Sequence, residues 1–139
     1  MKLPLFILAS AFVVVRATLP DQVTQNDVQQ SALRGKKIYE EYCLSCHQAD
    51  GSGVPKLNPP LKKTTYVLGQ PEPLIKIILK GLDEEIEING EYYSNPMPSF
   101  GGVLSDQQVA DVLTYVRNSF GNKASAITAA KVKAVREKK

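Results

Sequence analysis

Hydrophobic side chains recur three or four residues apart in four stretches of the chain, which is the spacing of helices that bury one face. The first stretch runs from Ser31 to the first cysteine, and the second follows Pro71 and ends at Gly81. The third begins at Ser105 and the fourth at Thr128, and both residue types commonly cap helix N-termini. We therefore predict an all-α fold with three to five helices.

Two other patterns interrupt the helical spacing. Between Glu85 and Tyr93, apolar and polar residues alternate around Asn89-Gly90. That pair accepts the positive φ angles of a two-residue turn, so a small β-hairpin is expected here. Residues 48–63 are rich in glycine and proline and are predicted to form a loop. The buried face of the first helix is predicted to hold Leu33, Ile38, Tyr39 and Tyr42.

The N-terminus carries an apolar run over residues 3–15, directly behind Lys2. This run is shorter than the roughly 20 residues of a membrane-spanning helix, and it matches the hydrophobic region of a secretory signal peptide. We predict a signal peptide over residues 1–17 that is cleaved after Ala17, with an uncleaved membrane anchor as the alternative. The protein is therefore expected to be exported to the periplasm.

The rest of the chain consists of an acidic part followed by a basic part. Residues 18–122 hold nine lysines and arginines against thirteen acidic residues, whereas residues 123–139 hold six against Glu137 alone. We predict a polar linker over 18–30, one domain over 31–122 and a basic C-terminal helix or tail over 123–139. The acidic body lacks the basic face that nucleic-acid binding requires. The tail either steers a charged protein partner or forms an ordinary solvated helix.

The chain holds two cysteines and one histidine, too few for a disulfide framework or a multi-histidine metal site. All three lie in the string Cys43-Leu44-Ser45-Cys46-His47. On a helical turn, residues three and four apart share a face, so both thiols and the imidazole point the same way. This arrangement attaches haem, because the thiols bond its vinyl groups and the imidazole reaches its iron. We predict one covalently bound haem c, with His47 as an axial ligand of the iron.

Two other kinds of site use cysteine and histidine. A redox disulfide of the thioredoxin type would need a βαβ pattern around the cysteines, whereas a helix precedes them here and a loop follows. A zinc site would need four ligands, and only three are available locally. Both alternatives are therefore weaker than the haem interpretation.

Met97 is the candidate for the second axial ligand, because the only other methionine is the initiator. Pro96 and Pro98 flank it and restrict the backbone on both sides. A methionine that only fills a core usually lies on a helix or strand face. Because Met/His ligation is common in cytochromes, we predict that Met97 and His47 bind the iron from opposite faces.

Together these residues make the sequence similar to the class I (mitochondrial-type) mono-haem cytochromes c over residues 33–120. Gly35 resembles the small residue at which the first and last helices of that family cross. Asn95-Pro96-Met97-Pro98 resembles the family's methionine loop. The resemblance implies the cytochrome c fold, in which helices wrap the haem and a small hairpin precedes the methionine loop. It also implies that the carbonyl of Pro59 accepts a hydrogen bond from the ring of His47.

The resemblance also implies which side chains surround the haem. Many family members place a tryptophan against a haem propionate, but this chain has no tryptophan. The residues expected to replace it are Tyr66, Tyr92 or Tyr93. Independently of the resemblance, Leu44, Leu61, Ile75, Phe100 and Leu113 are candidates to line the haem, although each is equally suited to an ordinary hydrophobic core.

The closest subgroup consists of bacterial periplasmic cytochrome c domains that serve dehydrogenases and reductases. This resemblance implies a one-electron carrier between a dehydrogenase or reductase and a respiratory partner, and not an enzyme by itself. The chain could equally be the cytochrome c subunit of a larger oxidoreductase complex. Two further alternatives are a peroxidase-like haem enzyme with a displaceable sixth ligand and a haem-based sensor, which would normally bring a signalling domain. The expected partners are redox proteins and not nucleic acids.

Overall fold

Six helices and one two-stranded hairpin make up residues 23–138, the part of the chain that the computed structural model describes. In chain order they are α1 (Gln25–Tyr42), α2 (Leu44–His47), α3 (Thr65–Leu68), α4 (Pro71–Lys80), β1 (Ile86–Ile88), β2 (Glu91–Tyr93), α5 (Asp106–Arg117) and α6 (Ala129–Arg136). Four of the helices have eight or more residues, and α2 and α3 are single turns. The predicted all-α fold with a small hairpin is confirmed. The predicted signal peptide over 1–17 lies outside the described residues.

The first helix begins earlier than its hydrophobic spacing predicts. Thr24 is its N-cap and forms a capping box with Asp27, so that each side chain accepts a hydrogen bond from the other residue's backbone N–H. The predicted start at Ser31 is therefore wrong, and much of the predicted linker over 18–30 is helical. The error arose because this first turn is polar and carries no hydrophobic period.

The buried face of α1 also carries smaller side chains than predicted. Leu33 is 61% exposed, contrary to prediction, whereas Ser31 and Gly35 are buried. Ile38 and Tyr39 are buried as predicted. Small residues occupy this face because α1 lies very close to α5 there.

The crossing of α1 and α5 is centred on Gly35. A Cβ atom placed on Gly35 would lie 2.0 Å from the backbone oxygen of Asp111 and 2.9 Å from the Cβ of Tyr115. The buried carboxylate of Asp111 accepts hydrogen bonds from Ser31 Oγ at 2.7 Å and Arg34 Nε at 2.7 Å. The position expected for Gly35 is thus confirmed, and a charged hydrogen-bond network fixes the same contact.

The remaining elements follow their local signals. Helix α4 begins at Pro71 and ends before Gly81. The hairpin pairs Ile86 with Tyr93, and its turn at Asn89-Gly90 has φ angles of 55° and 84°. Helix α5 carries the capping box of Ser105 and Gln108. The single turn α3, which lies after the loop of 48–63, was not predicted.

The C-terminal helix α6 packs against the rest of the fold. Thr128 caps it as predicted, and Val132 and Val135 are buried in the common core. At the protein surface, Arg136 of α6 also forms an ion pair with Asp106, the first residue of α5, at 2.7 Å. The apolar face of α6 is therefore covered, as its spacing predicts, whereas Lys131 and Lys133 are exposed to solvent.

We expect Gly35→Ala to lower the free energy of unfolding by about 3 kcal/mol, because the added methyl group cannot fit without separating α1 from α5. Gly102→Ala is the matched control, since no atom lies within 4 Å of a Cβ placed there. This control should change the free energy of unfolding by less than about 0.5 kcal/mol. Urea unfolding of both variants measures the difference, and equal losses would show that the crossing is not tightly packed.

Candidate functional site

An apolar cleft opens beside the common core and encloses about 1030 Å³, its open mouth included. Helices α4 and α5, the α2 turn, the hairpin and two loops all contribute to its walls. The five predicted site residues all line it: Cys43, Cys46, His47, Pro59 and Met97.

The α2 turn presents the two thiols and the imidazole to this cleft. The backbone N–H of His47 donates to the carbonyl of Cys43 at 2.9 Å, which holds the helical turn. The turn ends at Gln48, whose φ is 65°. Both cysteines are free thiols, with Cys43 partly buried and Cys46 exposed. Their placement on one turn brings both thiols to the same wall.

The surroundings of Cys43 differ from those of a thioredoxin-type redox disulfide. Burial raises the pKa of its thiol to about 11, and the neighbouring Cys46 adds to the rise. A redox disulfide of the thioredoxin type lies next to a βαβ pattern, whereas α1 precedes this site and a loop follows it. Within residues 23–138, no cluster of three or more His, Cys, Asp or Glu side chains could hold a metal ion.

The ring of His47 is fixed by one hydrogen bond. Its Nδ1 lies 2.9 Å from the carbonyl oxygen of Pro59, the contact that the resemblance implied. A carbonyl only accepts, so Nδ1 carries the proton and Nε2 keeps its lone pair. Burial lowers the pKa of His47, and the bond to Pro59 opposes this change only in part. The imidazole is therefore neutral at neutral pH, which is the form that binds a metal.

Met97 lines the same cleft from a different segment of the chain. Its backbone N–H and C=O pair with Leu82 at 2.9 and 3.0 Å, directly after the end of α4. Gly81 makes this approach possible, because its φ is 79° and a Cβ there would lie 2.6 Å from the Met97 oxygen. Ser99 Oγ donates to the Leu79 carbonyl at 2.6 Å and extends the attachment to α4. Met97 is thus placed by backbone pairing and not as a filler on a helix face.

A side-chain hydrogen bond joins the two loops that carry Pro59 and Met97. Asn95 Nδ2 donates to Asn58 Oδ1 at 2.7 Å, and both residues line the cleft. The loop that orients His47 and the loop that holds Met97 are therefore connected to each other as well as to the helices.

The other expected lining residues divide into two groups. Leu61, Phe100 and Leu113 line the cleft as expected, whereas Leu44 faces solvent and Ile75 lies in the core behind the wall. Of the three tyrosines considered near the propionates, Tyr66 lines the cleft and Tyr92 and Tyr93 do not. Sequence reasoning missed the contribution of the hairpin, whose lining residues are Ile86 and Ile88. Their alternation with acidic residues was the available signal.

The donor set of this cleft fits haem c. Two thiols and one neutral imidazole share a helical turn, and a thioether lies on another wall of the same apolar space. Residues 32–120 match the model of the family described as cytochrome c. The chain belongs to the cytochrome c family. This membership implies covalently bound haem c with its iron, and the chain therefore has the role of an electron carrier.

Curated relatives fall into two kinds. Over 117 residues, the chain is 38% identical to the gluconate 2-dehydrogenase cytochrome c subunit of Pantoea cypripedii, covering 78% of this chain and 26% of that protein. It is 36% identical to cytochrome c-552 of Thermus thermophilus, covering 76% of this chain and 86% of the relative. The alcohol dehydrogenase (quinone) cytochrome c subunit of Gluconacetobacter polyoxogenes is 35% identical, covering 77% of this chain and 23% of the relative. The chain thus spans about a quarter of the dehydrogenase subunits.

Among residues 23–138, no helix combines the length and the apolar content that crossing a bilayer requires.

We expect Gly81→Ala to lower the free energy of unfolding by about 1–3 kcal/mol more than Gly90→Ala. Both glycines have positive φ, at 79° and 84°, but only a Cβ at Gly81 would collide with the Met97 backbone. Amide hydrogen exchange at Met97 and Leu82 should accelerate in the Gly81 variant alone. Equal effects of the two substitutions would show that Gly81 is needed only for its positive φ angle and not for the close approach of the Met97 backbone.

Proposed function

We propose that this protein is an exported one-electron carrier in which Cys43 and Cys46 hold haem c and His47 and Met97 are the axial ligands of its iron. The observation that supports this proposal is the convergence of two thiols, a neutral imidazole and a thioether on one apolar cleft. When bound, the haem supplies an iron that alternates between the ferrous and ferric states.

The residues of the chain account for the remaining properties of such a carrier. The carbonyl of Pro59 holds the His47 ring in one tautomer and increases its basicity as a ligand. The thioether of Met97 is a soft, neutral ligand, which favours the ferrous state and raises the reduction potential. Leu61, Phe100 and Leu113 keep water away from the cleft wall. With both axial positions filled by side chains, no position is left for a substrate, so we propose a carrier and not a peroxidase-like enzyme.

The dehydrogenase cytochrome subunits among the relatives support a specific kind of partner. We propose that the protein receives electrons from a periplasmic dehydrogenase or reductase and passes them to a respiratory partner. It acts either as a free carrier or as the cytochrome c subunit of a complex. The first is supported by the match to 86% of the length of cytochrome c-552, and the second by the match to a dehydrogenase cytochrome c subunit. The predicted signal peptide over residues 1–17 supports the periplasmic location. Contacts between such redox partners are small and short-lived, which permits rapid turnover.

Met97→Ala tests the axial ligation. Haem should stay attached, because Cys43, Cys46 and His47 are unchanged. The reduction potential should fall, and cyanide should bind the ferric protein without delay, because the sixth position loses its thioether. Val103→Ala is the control, since this exposed side chain lies on the same segment but outside the cleft. A potential and a cyanide-binding rate equal to those of the wild type would identify another residue as the sixth ligand.

The proposed partners are tested by reduction of the purified ferric protein with the periplasmic fraction of its source. Gluconate, ethanol and fructose are added separately, and the haem absorption spectrum reports reduction. At least one substrate should reduce the wild-type protein, and a dye acceptor shows which dehydrogenases are active in the fraction. Reduction of the dye by all three substrates, without reduction of the cytochrome by any, would contradict the proposed dehydrogenase partner.

A further inference from the structure

The C-terminal helix α6 lies beyond the residues that match the family, yet it contacts the segment that follows Met97. We propose that Arg136 of α6 is a positioning residue for the methionine ligand: it clamps residues 101–106 and thereby keeps the Met97 thioether at the iron. This inference rests on the proposed axial role of Met97.

The guanidinium of Arg136 reaches three residues of one short segment. Its Nη2 donates to the carbonyl of Leu104 at 2.9 Å, and its Nη1 donates to the carbonyl of Gly101. Its Nε donates to Asp106 Oδ1 at 2.7 Å. The planar fork of arginine suits such a set of acceptors, whereas the ammonium group of lysine cannot span them in the same geometry.

The same segment is also held by α4. Phe100 donates its backbone N–H to the carbonyl of Ile78 at 2.9 Å. A Cβ atom on Gly101 would lie 2.4 Å from the carbonyl oxygen of Leu79, so the segment already touches α4 closely. The chain from Met97 to Leu104 is therefore attached to α4, and the hydrogen bonds of Arg136 attach its end to α6 as well.

Helix α6 is itself anchored, which a clamp requires. Val132 and Val135 are buried, and the Thr114 hydroxyl accepts a hydrogen bond from the backbone N–H of Ile127, just before the helix, at 3.0 Å. Lys138 pairs with Glu72 of α4 at 3.2 Å. Lys133 provides a contrast, because its pairing with Glu137 at 3.8 Å stays within α6 and is exposed. Arg136 thus connects a fixed helix to the methionine segment, whereas Lys133 does not.

Release of the Met97 thioether requires its segment to move away from the cleft. While Arg136 holds Gly101 and Leu104, this movement must also break charged hydrogen bonds, which are stronger than neutral ones. Loss of the clamp should therefore raise the population in which the iron is open to an added ligand. The crossing of α1 and α5 at Gly35 should remain unchanged, since Arg136 contacts α5 only at its first residue, Asp106, and its other acceptors are Gly101 and Leu104.

The test compares Arg136→Gln, Arg136→Lys and the control Lys133→Gln in the haem-loaded protein. Cyanide should bind ferric Arg136→Gln about tenfold faster than the wild type, a change that corresponds to about 1.4 kcal/mol. Arg136→Lys should bind cyanide about as fast as Arg136→Gln, because lysine keeps the positive charge but lacks the planar guanidinium. Lys133→Gln should bind cyanide at the rate of the wild type. Amide exchange should accelerate near Gly101 and Leu104 but not near Gly35. This pattern separates a local clamp from general destabilisation.

Three outcomes would overturn the clamp. One is a cyanide-binding rate in Arg136→Gln within about twofold of the wild type, which is below the effect of losing one net hydrogen bond. Another is restoration of the wild-type rate by Arg136→Lys, which would leave only a charge effect. The third is equal acceleration of amide exchange throughout the protein. A wild type that already binds cyanide as fast as Met97→Ala would instead contradict the proposed ligation by Met97.

Discussion

The close crossing of α1 and α5 is the contact on which the haem site depends. Gly35 allows the two backbones to approach so closely that a single methyl group would collide with Asp111, and the hydrogen bonds to the Asp111 carboxylate hold the helices at that distance. Because α1 ends directly before the α2 turn, this crossing sets where both thiols and the imidazole of His47 lie. Because α5 also supplies Leu113 to the cleft, the same contact sets one apolar wall. A contact between two helices thus sets the position of Cys43, Cys46 and His47.

The two proposed axial ligands are held in different ways. His47 is fixed on a helical turn and oriented by a single hydrogen bond to Pro59. Met97 lies on an irregular segment, and backbone pairing with Leu82 and the bonds of Arg136 farther along hold that segment. The methionine side therefore depends on several weaker attachments. This difference explains why we expect ligand exchange, when it occurs, to begin at Met97 and not at His47.

Local signals in the sequence were sufficient for the motif and most helices. The string of Cys43, Cys46 and His47 specifies its own geometry on one turn, and caps such as Ser105 mark where helices begin. The prediction failed where long-range packing decides the outcome. Leu33 is exposed because the α1 crossing admits only small residues. In α6 only Val132 and Val135 are buried, and the charge count of this segment gave no indication of which elements would cover them. The clamp of Arg136 on Gly101 was invisible for the same reason, since 35 residues separate the two.

X-ray absorption at the iron K-edge tests the central claim most directly, because it identifies the atoms bound to the metal in solution. The account predicts a single sulfur neighbour and otherwise nitrogen in the wild-type protein, in both the ferrous and the ferric states. Met97→Ala should lose the sulfur and keep the nitrogen neighbours. An iron without a sulfur neighbour in the wild type, or a sulfur that persists in Met97→Ala, would contradict the proposed His47 and Met97 ligation.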